Sequence, residues 1–219
     1  MNHDASTSWS WTDTAKSAVG ELAALAQVIV SLPLRGLAAH TLSDVDDHPA
    51  PVVLVHGILG DPTNFAVLRR HLARHGIRRF SSFAYRPRLD YQRIARDLGA
   101  HVDAVRRETG AAQVDIIGHS LGGLVARYFV QTGGAGSVRR LVTLGTPYLA
   151  YGNPPQELAI FAADDALVPP PADDARRRMR VIATCGHLGL LTDGRALGAI
   201  VRYLRPPVWA ANRVADVAA

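Results

Sequence analysis

A chain of 219 residues with 48% hydrophobic and 20% charged content can bury a sizeable core in one domain, which excludes a disordered polyelectrolyte. The formal net charge is +5, carried almost wholly by arginine, since Lys16 is the only lysine; no recognised binding motif accompanies that charge, so no nucleic-acid partner is expected. The single cysteine, Cys185, excludes an intrachain disulfide and a cysteine-based zinc site.

Residues 1–13 are polar, with Trp9 and Trp11. Residues 14–32 read as a helix, with Val19, Leu22, Ala23, Ala26, Ile29 and Val30 largely on one side and Pro33 ending it. The apolar stretch from Leu22 to Leu34 is too short to span a bilayer. Asp4, Asp13 and Glu21 ahead of it do not suit an export signal. Such a helix either packs on the domain or lies on a membrane surface. Peripheral membrane contact through residues 14–40 is therefore one expectation, and a cytoplasmic or membrane-peripheral place is expected over secretion. Residues 43–50 read as a linker, which divides the chain into an extension, 1–48, and a main domain, 49–219.

Pro51-Val52-Val53-Leu54-Val55 is a continuous apolar run and so a buried strand. It leads into His56-Gly57-Ile58-Leu59-Gly60 and then Asp61-Pro62-Thr63-Asn64, a turn and helix start. Phe65, Leu68, Leu72 and His75 mark an amphipathic helix that stops near Gly76. His71 and His75 stand four apart on it, but no acidic third ligand lies nearby and Arg69, Arg70 and Arg74 surround them. They read as a solvated face, and no metal is expected. Phe80 to Tyr85 reads as a strand, and Tyr91 to Thr109 as a long helix with Ile94, Leu98, Val102 and Val105 on one face. Further strands are expected at Val114–Ile117, Arg140–Gly145, Ala159–Ala163 and Arg180–Thr184, with a closing helix from Asp193 to Leu204. Strands alternating with helices predict a mostly parallel sheet of about six strands, with helices on both faces.

Between the third of these strands and the helix-like stretch Leu124–Val130 lies Gly118-His119-Ser120-Leu121-Gly122-Gly123. Gly-x-Ser-x-Gly between a strand and a helix is the pattern of a nucleophile elbow. The turn is so tight that the serine backbone is strained, and glycine is needed two residues before and two after. Ser120 would then stand exposed at the carboxyl edge of the sheet, over a helix amino terminus whose partial positive charge favours an anion.

A serine hydroxyl needs a general base, and the base needs a carboxylate to hold its tautomer. In such a fold the chain order is nucleophile, acid, histidine. Of nine histidines only His187 follows Ser120, in a loop just past the last strand. Glu157 precedes its strand and would sit at the wrong end. Asp173 and Asp174 suit a helix start. Asp164 and Asp165 stand at a strand's carboxyl end, and the residues alone do not separate them. An oxyanion hole needs two backbone N–H groups. Leu121, directly after the serine, and Ile58, in the loop after the first strand, are placed to supply them.

Five stretches in order, Val-Leu-Val-His-Gly-Ile (53–58), Gly-His-Ser-Leu-Gly-Gly (118–123), Leu-Val-Thr-Leu-Gly-Thr-Pro (141–147), Asp-Ala-Leu-Val-Pro (165–169) and Gly-His-Leu-Gly-Leu-Leu (186–191), resemble the α/β-hydrolase superfamily. Within it the likeness is to small bacterial triacylglycerol lipases and esterases with little or no lid. The resemblance covers about residues 50–205. It implies an α/β-hydrolase fold in the main domain and a serine carboxylic-ester hydrolase with an acyl-enzyme on Ser120. It also implies no metal or organic cofactor, and a small-molecule or lipid ester as substrate. It selects Asp165 over Asp164, because the family's acid is followed by two residues and then Val-Pro or a similar pair. The family's oxyanion donors match Ile58 and Leu121. The run Tyr148–Leu158 is short for the family's usual helix and lid, so an open cleft lined by Leu59, Tyr148, Leu149, Tyr151 and Leu188 is expected, suited to short or medium acyl esters. The alternatives are other acyl-transfer chemistry on the same three residues (phospholipase, amidase or acyltransferase) and a hydrolase fold kept as an interaction module.

Overall fold

The computed structural model describes residues 40–42, 48–58, 60–85, 90–147, 154, 156–171 and 179–205. The expected helix at 14–32 and the linker residues 43–47 lie outside these, as do Leu59, Tyr148, Leu149 and Tyr151.

Seven strands form one sheet: β1 (His40–Thr41), β2 (Val52–Val55), β3 (Phe80–Phe83), β4 (Val114–His119), β5 (Val138–Leu144), β6 (Glu157–Ala162) and β7 (Met179–Ile182). Their order across the sheet is β1-β3-β2-β4-β5-β6-β7. The six strands expected from sequence are all present and all parallel, while β1 is added antiparallel on the β3 edge through His40 opposite Ser81 and Thr41 opposite Phe80. Four α-helices are described: α1 (Ala66–Arg74), α2 (Tyr91–Thr109), α3 (Leu121–Gln131) and α4 (Gly194–Leu204).

The continuous apolar strands follow from this layering. In β2, Val52 and Leu54 enter a core with Leu68 and Leu72 of α1 and Leu197 and Ile200 of α4. Val53 and Val55 enter a second core with Ile94 and Leu98 of α2 and Val125 and Val130 of α3. Successive side chains point to opposite faces, so a strand covered on both sides must be apolar throughout.

Helix ends follow local chemistry. Asp90 caps α2 by accepting the Arg93 N–H at 3.0 Å, and Gly110 ends that helix in the left-handed region at φ 67. Asp193 caps α4 through the N–H groups of Arg195 and Ala196. The chain places β3 on one side of β2 and β4 on the other, so the direction of winding reverses between β2 and β4. In open α/β sheets the crevice outside the carboxyl ends of the strands at such a reversal is where ligands bind.

Candidate active site

Ser120 directly follows β4 and precedes α3, with φ 52 and ψ −123. A non-glycine residue at positive φ is strained, a state that persists only where surroundings impose it. Here they are unyielding. A Cβ on Gly122 would come within 2.2 Å of the Val55 carbonyl oxygen and 2.4 Å of that of His56, so α3 abuts the end of β2 directly. A Cβ on Gly118 would lie 2.6 Å from the Gly123 backbone. The Ser120 N–H donates to the Leu144 carbonyl at 2.8 Å, and Thr146 Oγ1 donates to the Ser120 carbonyl at 3.2 Å, which fixes the turn against the end of β5.

His187 lies in the loop after β7. Its Nδ1–H donates to Asp165 Oδ2 at 2.6 Å, with Asp165 4% and His187 8% exposed. Asp165 Oδ1 accepts the N–H groups of Leu167 at 2.9 Å and Val168 at 2.8 Å, so each carboxylate oxygen has a separate task. This arrangement leaves the lone pair of the His187 ring on Nε2. Asp164 points elsewhere: its N–H donates to the Cys185 carbonyl, and its buried Oδ2 has no hydrogen-bond partner. The loop that carries His187 contains a second strained residue, Thr184, at φ 49.

The three residues are linked through β5. Gly145 follows the Leu144 that holds Ser120, and a Cβ on Gly145 would stand 3.0 Å from His187 Nδ1 and 3.2 Å from Asp165 Oδ2. Among the described residues no hydrogen bond links the Ser120 hydroxyl to His187 Nε2. Such bonds are commonly long without substrate and tighten in the complex.

Leu121 is the first residue of α3, and its N–H belongs to the helical turn that lacks intrahelical acceptors. Ile58 is half-buried in the loop after β2. In that loop a Cβ on Gly57 would be 3.2 Å from Ser120 Cβ, so its backbone passes directly beside the serine. The His56 Nδ1–H donates to the Gly57 carbonyl at 2.8 Å. The Tyr85 hydroxyl donates to the His56 carbonyl at 2.7 Å, while its ring stacks on that of His56 at 4.5 Å. Burial lowers the pKa of His56 and raises that of Tyr85, keeping both neutral. Of the expected substrate-contacting residues only Leu188 is described, half-buried next to His187.

Tyr85, His119 and Arg127 were not singled out from sequence. His119, between Gly118 and the serine, donates from Nε2 to the His187 carbonyl at 3.2 Å. Arg127 of α3 forms a two-pronged ion pair with Glu157 and donates to the Pro147 carbonyl at 2.9 Å. Glu157, expected ahead of its strand, is the first residue of β6, at the amino edge and away from Ser120. Among the described residues no group of three or more His, Cys, Asp or Glu is placed to hold a metal ion, and no helix is long and apolar enough to cross a membrane.

Known proteins are similar in sequence and in fold. Over 142 residues, 57% of this chain, it is 32% identical to a triacylglycerol lipase of Burkholderia plantarii, and it spans 39% of that lipase's length. A CIB-like hydrolase of Thermoplasma acidophilum superposes with a TM-score of 0.60 at 13% identity, covering 77% of this chain and 91% of that one. A lidless α/β serine hydrolase of Xanthomonas campestris superposes with a TM-score of 0.55 at 18% identity, covering 76% and 84%. A family model described as the alpha/beta hydrolase fold matches residues 50–166, a stretch that contains β2 to β6, Ser120 and Asp165. With that match and this sheet order, the chain belongs to the alpha/beta hydrolase fold family.

Proposed function

We propose that the protein is a serine carboxylic-ester hydrolase of lipase or esterase type. The observation that carries this reading is one arrangement about the end of β5: a strained Ser120 at a strand-to-helix turn, bonded to Leu144, and against Gly145 a buried His187 whose Nδ1–H is committed to Asp165. The similarity to a triacylglycerol lipase supports an ester as substrate.

In this reading His187 Nε2 takes the Ser120 proton as Oγ attacks the ester carbonyl. The tetrahedral oxyanion is met by the N–H groups of Ile58 and Leu121, each worth roughly 3–4 kcal/mol on the scale of single oxyanion donors. His187 then gives its proton to the departing alcohol. Water, activated by the same Nε2, hydrolyses the acyl-enzyme and returns the proton to Ser120. Asp165 keeps the ring in the Nδ1–H tautomer and stabilises the imidazolium formed on the way. Short and medium acyl chains are the proposed substrates, since few residues separate β5 from β6 to build a cover.

A series of p-nitrophenyl esters of increasing chain length tests both parts. Turnover should peak at short or medium chains, and a fluorophosphonate should label wild type and not Ser120→Ala. Ester turnover by Ser120→Ala near the wild-type rate would overturn the assignment.

A further inference from the structure

The motif Gly-x-Ser-x-Gly leaves its second position open to any side chain. Here it holds an imidazole, His119, at the end of β4 and only 3% exposed. Burying a polar ring is costly unless its nitrogens are satisfied. Nε2 lies 3.2 Å from the His187 backbone carbonyl. On the other side the ring meets the loop after β2, where a Cβ on Gly57 would stand 3.3 Å from Nδ1. The His119 and His187 rings lie side by side, with centroids 4.7 Å apart and planes tilted by 50°. One side chain thus meets both the loop that passes beside Ser120 and the loop that carries His187.

We propose that His119 is a positioning residue: donating to the His187 carbonyl, it fixes the backbone of that loop and so keeps the His187 Nδ1–H aimed at Asp165. The proposal rests on the reading of Ser120 and His187 given above. A carbonyl oxygen only accepts, so the single proton of a neutral His119 must sit on Nε2. Burial first, and then the neighbouring His187, push the His119 pKa down to about 3, while the hydrogen bond to the His187 carbonyl and then Asp165 oppose that lowering and His56 adds to it. The donor tautomer therefore persists throughout the pH range in which His187 must exchange protons. A charged ring 4.7 Å from His187 would oppose the imidazolium formed in the reaction.

Two variants separate hold from mere filling. His119→Met keeps an unbranched side chain of similar reach but has no donor, whereas His119→Gln keeps an N–H donor. With p-nitrophenyl butyrate, His119→Met should lose on the order of 10²-fold in kcat with KM little changed, the scale of a small misplacement of a reacting group. His119→Gln should recover most of it. In parallel, the downfield proton NMR signal of the His187 Nδ1–H should broaden or vanish in His119→Met and persist in His119→Gln. Wild-type kcat and an intact signal in His119→Met would overturn the proposal, as would an equal loss in both variants. If His119→Met does not fold, His119→Asn replaces it, because its amide is one methylene too short and must show the same loss relative to Gln. A wild-type protein that fails to react with a fluorophosphonate would instead refute the reading of Ser120. The NMR signal tests the hold on His187 without reference to turnover.

Discussion

At the scale of single residues the site turns on which atom of each side chain carries a proton. Asp165 Oδ1 accepts two backbone N–H groups and Oδ2 accepts from His187, so the carboxylate is divided between its own loop and the imidazole. Asp165→Asn should preserve that shape while reversing one bond. The amide oxygen would keep Leu167 and Val168, and the amide nitrogen would face His187 Nδ1. The ring would then carry its proton on Nε2, where it cannot receive one from Ser120. Ester turnover should fall on the order of 10³–10⁴-fold, the scale of the same tautomer reversal in serine hydrolases. Asp164→Asn should change turnover little, since Asp164 Oδ2 has no hydrogen-bond partner. Steady-state kinetics of the two variants checks this, and a larger loss in Asp164→Asn would move the carboxylate role from Asp165 to Asp164. The residues alone could place this pair at the carboxyl end of β6 without separating them, and the choice of Asp165 came from the family resemblance of residues 165–169. Alternation of side chains fails where the chain leaves the ladder, and here a turn from Asp165 N–H to the Ala162 carbonyl sets which acid faces inward.

At the scale of elements, α3 is fastened at two points. Its first turn is wedged onto β2 through Gly122, and its middle is tied to β6 by Arg127. The Arg127 and Glu157 side chains are 3% and 0% exposed, and Thr143 Oγ1 also donates to Glu157 at 2.5 Å. The same guanidinium reaches the Pro147 carbonyl, so it grips both ends of the connection between β5 and β6. Removing one member leaves a buried charge without its partner, at a cost of about 3–5 kcal/mol. Glu157→Gln and Arg127→Met should each lower urea stability by roughly that much. The double variant should lose clearly less than the sum of the two, because it leaves no buried charge. Additive losses would show that the two do not act as a pair. Such ties are illegible in sequence for a physical reason: Arg127 and Glu157 are 30 residues apart and His119 and His187 are 68 apart, so each meeting depends on strand order. The six parallel strands and the four described helices were legible, since apolar runs and 3.6-residue periodicity are local signals. The two-residue β1 was not, because it joins β3 through backbone pairing without an apolar pattern of its own.

At the scale of the whole molecule, a sheet covered on both faces encloses imidazoles as well as aliphatic side chains, and this couples folding to pH. His119 is neutral in the folded protein down to about pH 3, whereas in an unfolded chain it takes up a proton near the ordinary histidine value of 6.5. The unfolded state therefore binds more protons between those two values. Stability from this group is complete above about pH 6.5 and falls as the pH drops toward 3. His56, whose pKa burial also lowers, acts in the same direction. At about 1.4 kcal/mol per pH unit once below the unfolded value, His119 alone should cost on the order of 2 kcal/mol between pH 7 and pH 5. The urea midpoint should fall over that interval in wild type. It should fall distinctly less in His119→Gln, whose amide does not titrate but still reaches the His187 carbonyl. Equal pH slopes in the two proteins would mean that His119 is as free to protonate in the folded state as in the unfolded one. The burial that secures the donor tautomer of His119 would then have no energetic signature. Because the measurement needs no substrate, it judges that burial independently of any activity at Ser120.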